Sequence, residues 1–177
     1  MIRDFIYIEN NFFSEKECDI LIDIFKPLTQ KSSNDNGYNG FYFESDSEYC
    51  NDIRLKFIDK KFQKSLETYI LIYPEVTFLG NLSLREYRFK HWEPGKSFER
   101  WHQEIGITTP FRVLNFMIYL SSHNCGTQFF DNKIINSEKG KLVIFPSYFT
   151  HLHRGQKCPE NKDRYMFSGY INMLNNV

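Results

Sequence analysis

The feature that most constrains the fold is a series of short, β-prone segments in the second half of the chain. Turn residues such as Gly80-Asn81, Pro94-Gly95 and Lys139-Gly140 separate these segments, and no helical pattern lies between them. Many short strands without intervening helices are typical of a β-sandwich or jelly roll. The sequence therefore predicts a mainly β fold with strands at 76–79, 82–89, 112–120, 127–130, 141–145 and 165–173.

The first 75 residues differ, because apolar residues recur there at helical spacing. Residues 2–8 are β-prone, but Ser14 and Glu17 have the spacing of a capping box and begin a predicted helix at 15–25. A second helical pattern covers 51–73, and the polar segment 31–40 is predicted to be a loop. We expect a single domain, 1–177, in which helical support at 1–75 buttresses one sheet of a double-stranded β-helix (jelly roll) at 76–177.

Composition narrows the class of protein. The 22 basic residues balance the 22 acidic ones, so nothing favours a nucleic-acid partner or an acidic membrane surface. No apolar segment is long enough to span a bilayer and the N-terminus lacks the apolar region of a signal peptide, so we expect a cytoplasmic protein. Without a secretory signal, we expect the four scattered cysteines, Cys18, Cys50, Cys125 and Cys158, to be free thiols.

The segment Trp101-His102-Gln103-Glu104 is a candidate metal site. In an extended chain, side chains two residues apart point to the same side, so His102 and Glu104 can converge on one ion. A second histidine would complete the two-histidine, one-carboxylate facial triad of non-haem iron enzymes, which leaves coordination positions open. His151 and His153, about fifty residues later, both qualify by periodicity. His91 and His123 lie in turn-like surroundings and are expected at the surface.

Several further segments precede and follow this pair along the chain, in the order in which they occur in a known family. The segment 84–173 resembles the Fe(II)/2-oxoglutarate (2OG) oxygenase superfamily, and within it the prolyl 4-hydroxylase-like branch, which includes small forms encoded by phages and bacteria. The resemblance rests on Tyr87 with Glu93-Pro94-Gly95, His102-Gln103-Glu104, the strand 112–120, Gly126-Thr127-Gln128-Phe129, the strand 139–146, His153-Arg154-Gly155, Arg164-Tyr165 and Ser168-Gly169-Tyr170.

The resemblance implies an enzyme that hydroxylates a C–H bond with dioxygen and decarboxylates 2OG to succinate. It implies that His102, Glu104 and His153 bind Fe(II). It assigns the distal carboxylate of 2OG to Arg164, because a guanidinium binds a carboxylate bidentately and stays charged. Thr127 and Tyr87 would add hydrogen bonds to the same carboxylate, and ascorbate is a further cofactor that the resemblance allows.

Two departures from the family pattern affect the site. Glu104 stands where the family most often has aspartate, and Cys125 replaces the first glycine of a Gly-Gly-x-Thr-x-Phe segment. Of the two candidate histidines, His153 is favoured over His151 because His153-Arg154-Gly155 resembles the family form.

The substrate remains open at the level of sequence. Peptidyl proline is suggested by analogy, and a peptide would need a groove covered by the 31–49 loop or the 90–100 segment. A free amino acid or small metabolite would need a closed pocket. The alternative from another class is a catalytically silent β-sandwich that serves as a binding or assembly module.

Overall fold

The computed structural model describes residues 3–31, 37–44, 47–52 and 55–174. The described chain contains the helices and strands β1 (Tyr7–Glu9), α1 (Glu15–Phe25), β2 (Gln30–Lys31), β3 (Asn39–Glu44), α2 (Glu48–Asn51), α3 (Lys56–Ile72), β4 (Leu82–Trp92), β5 (Arg112–Tyr119), β6 (Gly126–Phe129), β7 (Ile134–Asn136), β8 (Leu142–Pro146), β9 (His153–Gly155) and β10 (Arg164–Met173). Short 3₁₀ helices cover Lys26–Leu28, Pro74–Leu79 and Phe149–His151.

The strands form two antiparallel sheets that face each other. The larger has seven strands in the order β1-β8-β5-β10-β4-β3-β2, and the smaller has three in the order β7-β6-β9. Consecutive strands are often not neighbours in this order, as expected for a jelly roll rather than a meander. The prediction of a mainly β jelly roll is therefore confirmed.

Each face of the large sheet has its own hydrophobic core. On β5, Phe116 and Ile118 pack against the helices, whereas Met117 and Tyr119 face the smaller sheet. On β10, Phe167 belongs to the helical side and Met166 to the interior of the roll. Alternation along each strand thus separates the side chains that anchor the helices from those that line the interior.

Helices α1 and α3 cover the outer face of the large sheet. Ser14 caps α1, because its hydroxyl accepts from the Glu17 amide at 3.3 Å while the Glu17 carboxylate accepts from the Ser14 amide at 2.7 Å. The ring of Phe25 stacks on that of Phe167 at 5.9 Å, and Phe62 of α3 packs on Phe116 at 4.4 Å. The expectation that N-terminal helices buttress one sheet is confirmed.

Several predicted elements have different boundaries or types. Residues 76–79 form a 3₁₀ helix instead of a strand, because Pro74 starts a helical turn that the Thr77 hydroxyl closes on the Pro74 carbonyl at 2.7 Å. The first strand is limited to β1, since Phe5 has a φ of 52° that interrupts an extended chain. The predicted 31–40 loop contains the start of β3, and residues 32–36 lie outside the described chain.

Two cysteines and two histidines also differ from expectation. Cys125 and Cys158 form a disulfide with Cα atoms 5.0 Å apart, so the prediction of free thiols is wrong for this pair. Cys18 is free, as predicted, and its side chain is buried. His91 and His123 are buried, not exposed, because other parts of the folded chain pack over these two segments, although their local sequence is typical of turns.

No helix in the described chain is long and apolar enough to cross a membrane.

Candidate metal centre

Three side chains predicted to bind metal converge at one end of the jelly roll. The Nε2 atom of His102 lies 3.4 Å from Oε1 of Glu104, and Nε2 of His153 lies 3.7 Å from the same oxygen. One potential ligand atom from each residue lies within 4.8 Å of the others. The structure therefore brings together two imidazoles and one carboxylate, the donor set of a facial triad.

The backbone explains why these residues meet. His102 and His153 exchange two hydrogen bonds, at 3.1 and 3.0 Å, in an isolated antiparallel bridge. The Glu104 amide then donates to the Ser147 carbonyl at 3.1 Å, which fixes the next residues of the segment. The bridge aligns the two imidazoles, and the extended chain brings Glu104 to the same side.

The imidazoles are oriented for binding through Nε2. The Nδ1 atom of His102 lies 2.9 Å from the Arg100 carbonyl, and Nδ1 of His153 lies 3.0 Å from the His151 carbonyl. A carbonyl only accepts, so each Nδ1 must carry a proton, and Nε2 is the ring nitrogen that faces the cluster. Such a hydrogen bond fixes the ring orientation and tautomer of metal-binding histidines.

Glu104 is held in place from the opposite side. Its Oε2 accepts a hydrogen bond from the Tyr170 hydroxyl at 2.5 Å. Burial would raise the pKa of Glu104, but hydrogen bonds with His102 and His153 and the charge of Lys90 hold that pKa well below its usual range. Burial raises the pKa of Tyr170 well above its usual value, so the phenol stays protonated and donates to a carboxylate that stays ionised.

A cavity of about 130 Å³ opens beside the cluster. It lies between the large and small sheets, and apolar side chains make up much of its wall. Its lining comprises Tyr38, Arg88, Lys90, Trp92, Phe98, His102, Glu104, Asn115, Met117, Gly126, Thr127, His153, Gly155, Arg164 and Met166. Gly126 is required here, because a Cβ would approach the Ile135 carbonyl oxygen to 1.9 Å.

Arg164 lies deep in this cavity without a carboxylate partner among the described residues. Its side chain is buried, and its guanidinium stacks on the Trp92 ring at 4.4 Å. Its Nη1 donates to the Gln156 carbonyl at 3.0 Å, while Nε has no hydrogen-bond partner among the described residues. Burial lowers the pKa of Arg164 to about 10, so it remains charged at neutral pH. A buried, unpaired cation in a cavity is a site for an anion.

Thr127 also reaches the cavity, as the sequence predicts. Its Oγ1 accepts from the Tyr119 hydroxyl at 2.8 Å, so among the described residues the Met117 sulfur, 3.8 Å away, is the acceptor left for its own proton. Trp92 is not among the predicted site residues, yet it lines the cavity, and its buried Nε1 has no hydrogen-bond partner in the described part of the chain. The sequence does contain a signal for Trp92, because every second residue of a strand lies on the same face and Arg88, Lys90 and Trp92 are spaced in this way on β4.

Two residues considered from sequence lie elsewhere. Tyr87 is on the outer face of β4, where its hydroxyl donates to Asp59 of α3 at 2.6 Å, so the structure does not bring it to the cavity. Successive residues of a strand point to opposite faces, so Tyr87 lies on the face of β4 opposite to Arg88, Lys90 and Trp92. The Nε2 of His151 lies 2.8 Å from the Asp4 carbonyl, outside the cluster. His153 alone of the pair is therefore beside His102 and Glu104.

A second group of potential ligands, His123, Cys158 and Glu160, also lies within 4.8 Å. The Cys158 sulfur is bonded to Cys125, so this group lacks a thiolate.

Solved structures provide the comparison with known proteins. A viral collagen prolyl hydroxylase from Paramecium Bursaria Chlorella virus-1, solved as a 2OG complex, aligns with a TM-score of 0.70 and 20% identity over 96% of this chain and 97% of that one. A Pseudomonas putida prolyl-4-hydroxylase aligns at 0.70 and 15%, over 97% and 94%. A Trichoplax adhaerens prolyl hydroxylase, solved with a hypoxia inducible factor peptide fragment, aligns at 0.72 and 14%, over 96% and 84%.

No known protein-family model and no curated protein matches the sequence. The structural alignments nevertheless extend over nearly the whole chain, including both helices that buttress the sheet. At these identities they establish the architecture. The protein has the fold of the prolyl 4-hydroxylase-like 2OG oxygenases.

Proposed function

We propose that this protein is an Fe(II)- and 2OG-dependent oxygenase that hydroxylates a C–H bond. His102, Glu104 and His153 would bind the iron, and Arg164 would bind the distal carboxylate of 2OG. The observation that carries the proposal is the pairing of a facial-triad donor set with a buried arginine that has no carboxylate partner among the described residues, both in one cavity. A structural metal site would need no such cation beside it.

The donor set fits this metal. Two neutral imidazoles and one carboxylate suit Fe(II) and leave open positions for a bidentate co-substrate and dioxygen. Both Nδ1 atoms are occupied by carbonyls, so Nε2 is the available ligand atom of each ring. Glu104 replaces the shorter aspartate, and the hydrogen bond from Tyr170 constrains this longer side chain.

The proposed co-substrate site contains hydrogen-bond donors that would complement the carboxylate oxygens of 2OG. The Arg164 guanidinium and the indole N–H of Trp92 are buried with unpartnered nitrogens in the same cavity wall. Thr127 offers a hydroxyl beside them. These groups would orient 2OG and compensate its negative charge, while Phe98, Met117 and Met166 exclude water. The bound iron and 2OG would supply the oxidising power for C–H hydroxylation.

Peptidyl proline is one candidate substrate, because the structural neighbours are described as prolyl hydroxylases and one was solved with a peptide. A free amino acid or small metabolite is the other candidate. Dioxygen would be the second co-substrate in either case, and ascorbate would serve only to keep the iron reduced.

The test is an anaerobic titration of the metal-free protein with Fe(II) and then 2OG, followed through the weak visible charge-transfer band of the bound complex. We expect the band in the wild type, and we expect His102→Ala and His153→Ala to abolish it. His151→Ala is the matched control, since it removes a histidine two residues from His153 but outside the cluster. Absence of the band in the wild type would contradict the proposal and favour the binding-module alternative.

A further inference from the structure

The cavity contains more positive charge than the proposed metal and co-substrate need. Among the described residues, its lining includes three basic side chains, Arg88, Lys90 and Arg164, and one acidic side chain, Glu104. A divalent metal and the 2OG dianion cancel each other, so the three basic side chains and Glu104 keep a net charge of +2. Arg164 is already assigned to 2OG. Arg88 and Lys90 therefore remain beside the filled site.

Lys90 has no carboxylate partner within the described part of the chain. Its side chain is half-buried, and its Nζ lies 5.6 Å from the centroid of the Tyr38 ring, another wall of the cavity. Burial lowers the pKa of Lys90 to about 8, and the charges of Arg88, Arg112 and Arg164 oppose the favourable charge of Glu104. Lys90 is thus a cation in an environment short of negative charge.

Arg88 is compensated only in part. One of its terminal nitrogens lies 3.3 Å from Oε2 of Glu86, but Arg112 already binds both oxygens of this carboxylate, at 3.2 and 2.6 Å. The Arg88 Nε is buried and has no hydrogen-bond partner within the described chain. The rings of Tyr42 and Tyr170 lie 5.1 and 4.7 Å from its guanidinium and hold it in place.

A buried cation without a carboxylate partner, such as Lys90, is costly to bury, and a ligand that supplies the missing charge removes this cost. A rigid guanidinium and a nearby ammonium, both on the cavity-facing side of β4, match the geometry that recognises a carboxylate.

We propose that the substrate carries a carboxylate, which Lys90 and Arg88 bind beside the metal. This inference rests on the proposed function, because it takes the rest of the cavity as the site of metal and 2OG. It favours a free amino acid, another small carboxylic acid or the C-terminal residue of a peptide over a residue within a neutral peptide segment.

The experiment uses the full-length protein saturated with Mn(II) and N-oxalylglycine, a non-reactive 2OG analogue. Matched pairs of probes are titrated by calorimetry: N-acetyl-L-proline against N-acetyl-L-prolinamide, and cyclopentanecarboxylate against cyclopentanecarboxamide. We expect each carboxylate to bind at least tenfold more tightly than its amide, as for charge-assisted hydrogen bonds. We expect Lys90→Met and Lys90→Gln to remove the preference, and Lys96→Met, in the exposed turn after β4, to keep it.

Three results would overturn the inference. Equal affinity for carboxylates and amides, or no measurable binding of any probe at millimolar concentration, would exclude a carboxylate site. A loss of N-oxalylglycine affinity in Lys90→Met as large as the loss of carboxylate preference would assign Lys90 to the co-substrate. Failure of the wild type to bind Mn(II) and N-oxalylglycine would instead contradict the proposed function, and probe titrations without metal would still test the carboxylate site.

Discussion

Replacing Arg164 with methionine should weaken 2OG binding and at the same time stabilise the metal-free protein. Arg164 is buried and stacked on Trp92, and it lacks a carboxylate partner in the described part of the chain. Methionine keeps a long apolar side chain in the same space but removes the charge. The two effects have opposite signs because the charge is unfavourable in the free protein and favourable only with an anion bound.

The magnitude follows from the desolvation of the guanidinium. Burial lowers the pKa of Arg164 from its ordinary value to about 10, which corresponds to about 3 kcal/mol of lost stability at neutral pH. Arg164 destabilises the folded protein at neutral pH because its pKa is lower in the folded state than in the unfolded state. This penalty is present in full below the folded-state pKa and is lost as the pH rises from that pKa to the ordinary one. Arg164→Met also loses the bond to the Gln156 carbonyl and the ring contact, worth about 2 kcal/mol together.

The net expectation is a gain of about 1 kcal/mol, or a rise in Tm of about 2–4 °C, measured by thermal unfolding without metal. In calorimetric titrations of the Mn(II)-loaded protein with 2OG, loss of a paired charge should cost about 2–5 kcal/mol, at least a thirtyfold increase in Kd. Arg154→Met is the control, because this arginine bonds to Gln128 and stacks on Trp101 outside the cavity lining. A destabilised variant with unchanged 2OG affinity would refute the reasoning.

Four further substitutions test individual parts of the structure. Tyr170→Phe should raise the Kd for Mn(II) by 10–100-fold, since it frees the carboxylate ligand; an unchanged Kd in a metal titration would contradict this. Trp92→Phe should weaken 2OG binding about tenfold, because it removes an indole donor. Tyr87→Phe should lower the free energy of unfolding by about 1 kcal/mol and leave 2OG affinity unchanged. Weaker 2OG binding in Tyr87→Phe but not in Trp92→Phe would restore Tyr87 as the candidate co-substrate ligand. Cys125→Ser should lower the free energy of unfolding by about 4 kcal/mol under oxidising conditions, because the bond to Cys158 closes a loop with a separation of 33 residues; equal denaturation midpoints with and without reductant in the wild type would count against the disulfide.

The pattern of strands and the donor pair were determined by local sequence. Short β-prone segments between turns specify a jelly roll because alternation and turn chemistry act within a few residues. His102 and Glu104 converge for the same reason, since an extended chain brings side chains two residues apart to one side. The capping box of α1 likewise needs only residues 14–17.

Tertiary structure decided which candidate residues reach the site. Strand periodicity would give His151 and His153 a common face, but the 3₁₀ helix Phe149–His151 breaks that periodicity and turns His151 toward Asp4. Tyr87 and Trp92 lie on the same strand, and only the packing of α3 on its outer face determines which of them lines the cavity. The pairing of Cys125 with Cys158 depends in the same way on chain folding. Local sequence therefore specified most of the elements and the candidate metal-binding pair. Packing created the two opposite faces of the sheet, and these faces assigned the remaining residues to the core or to the cavity.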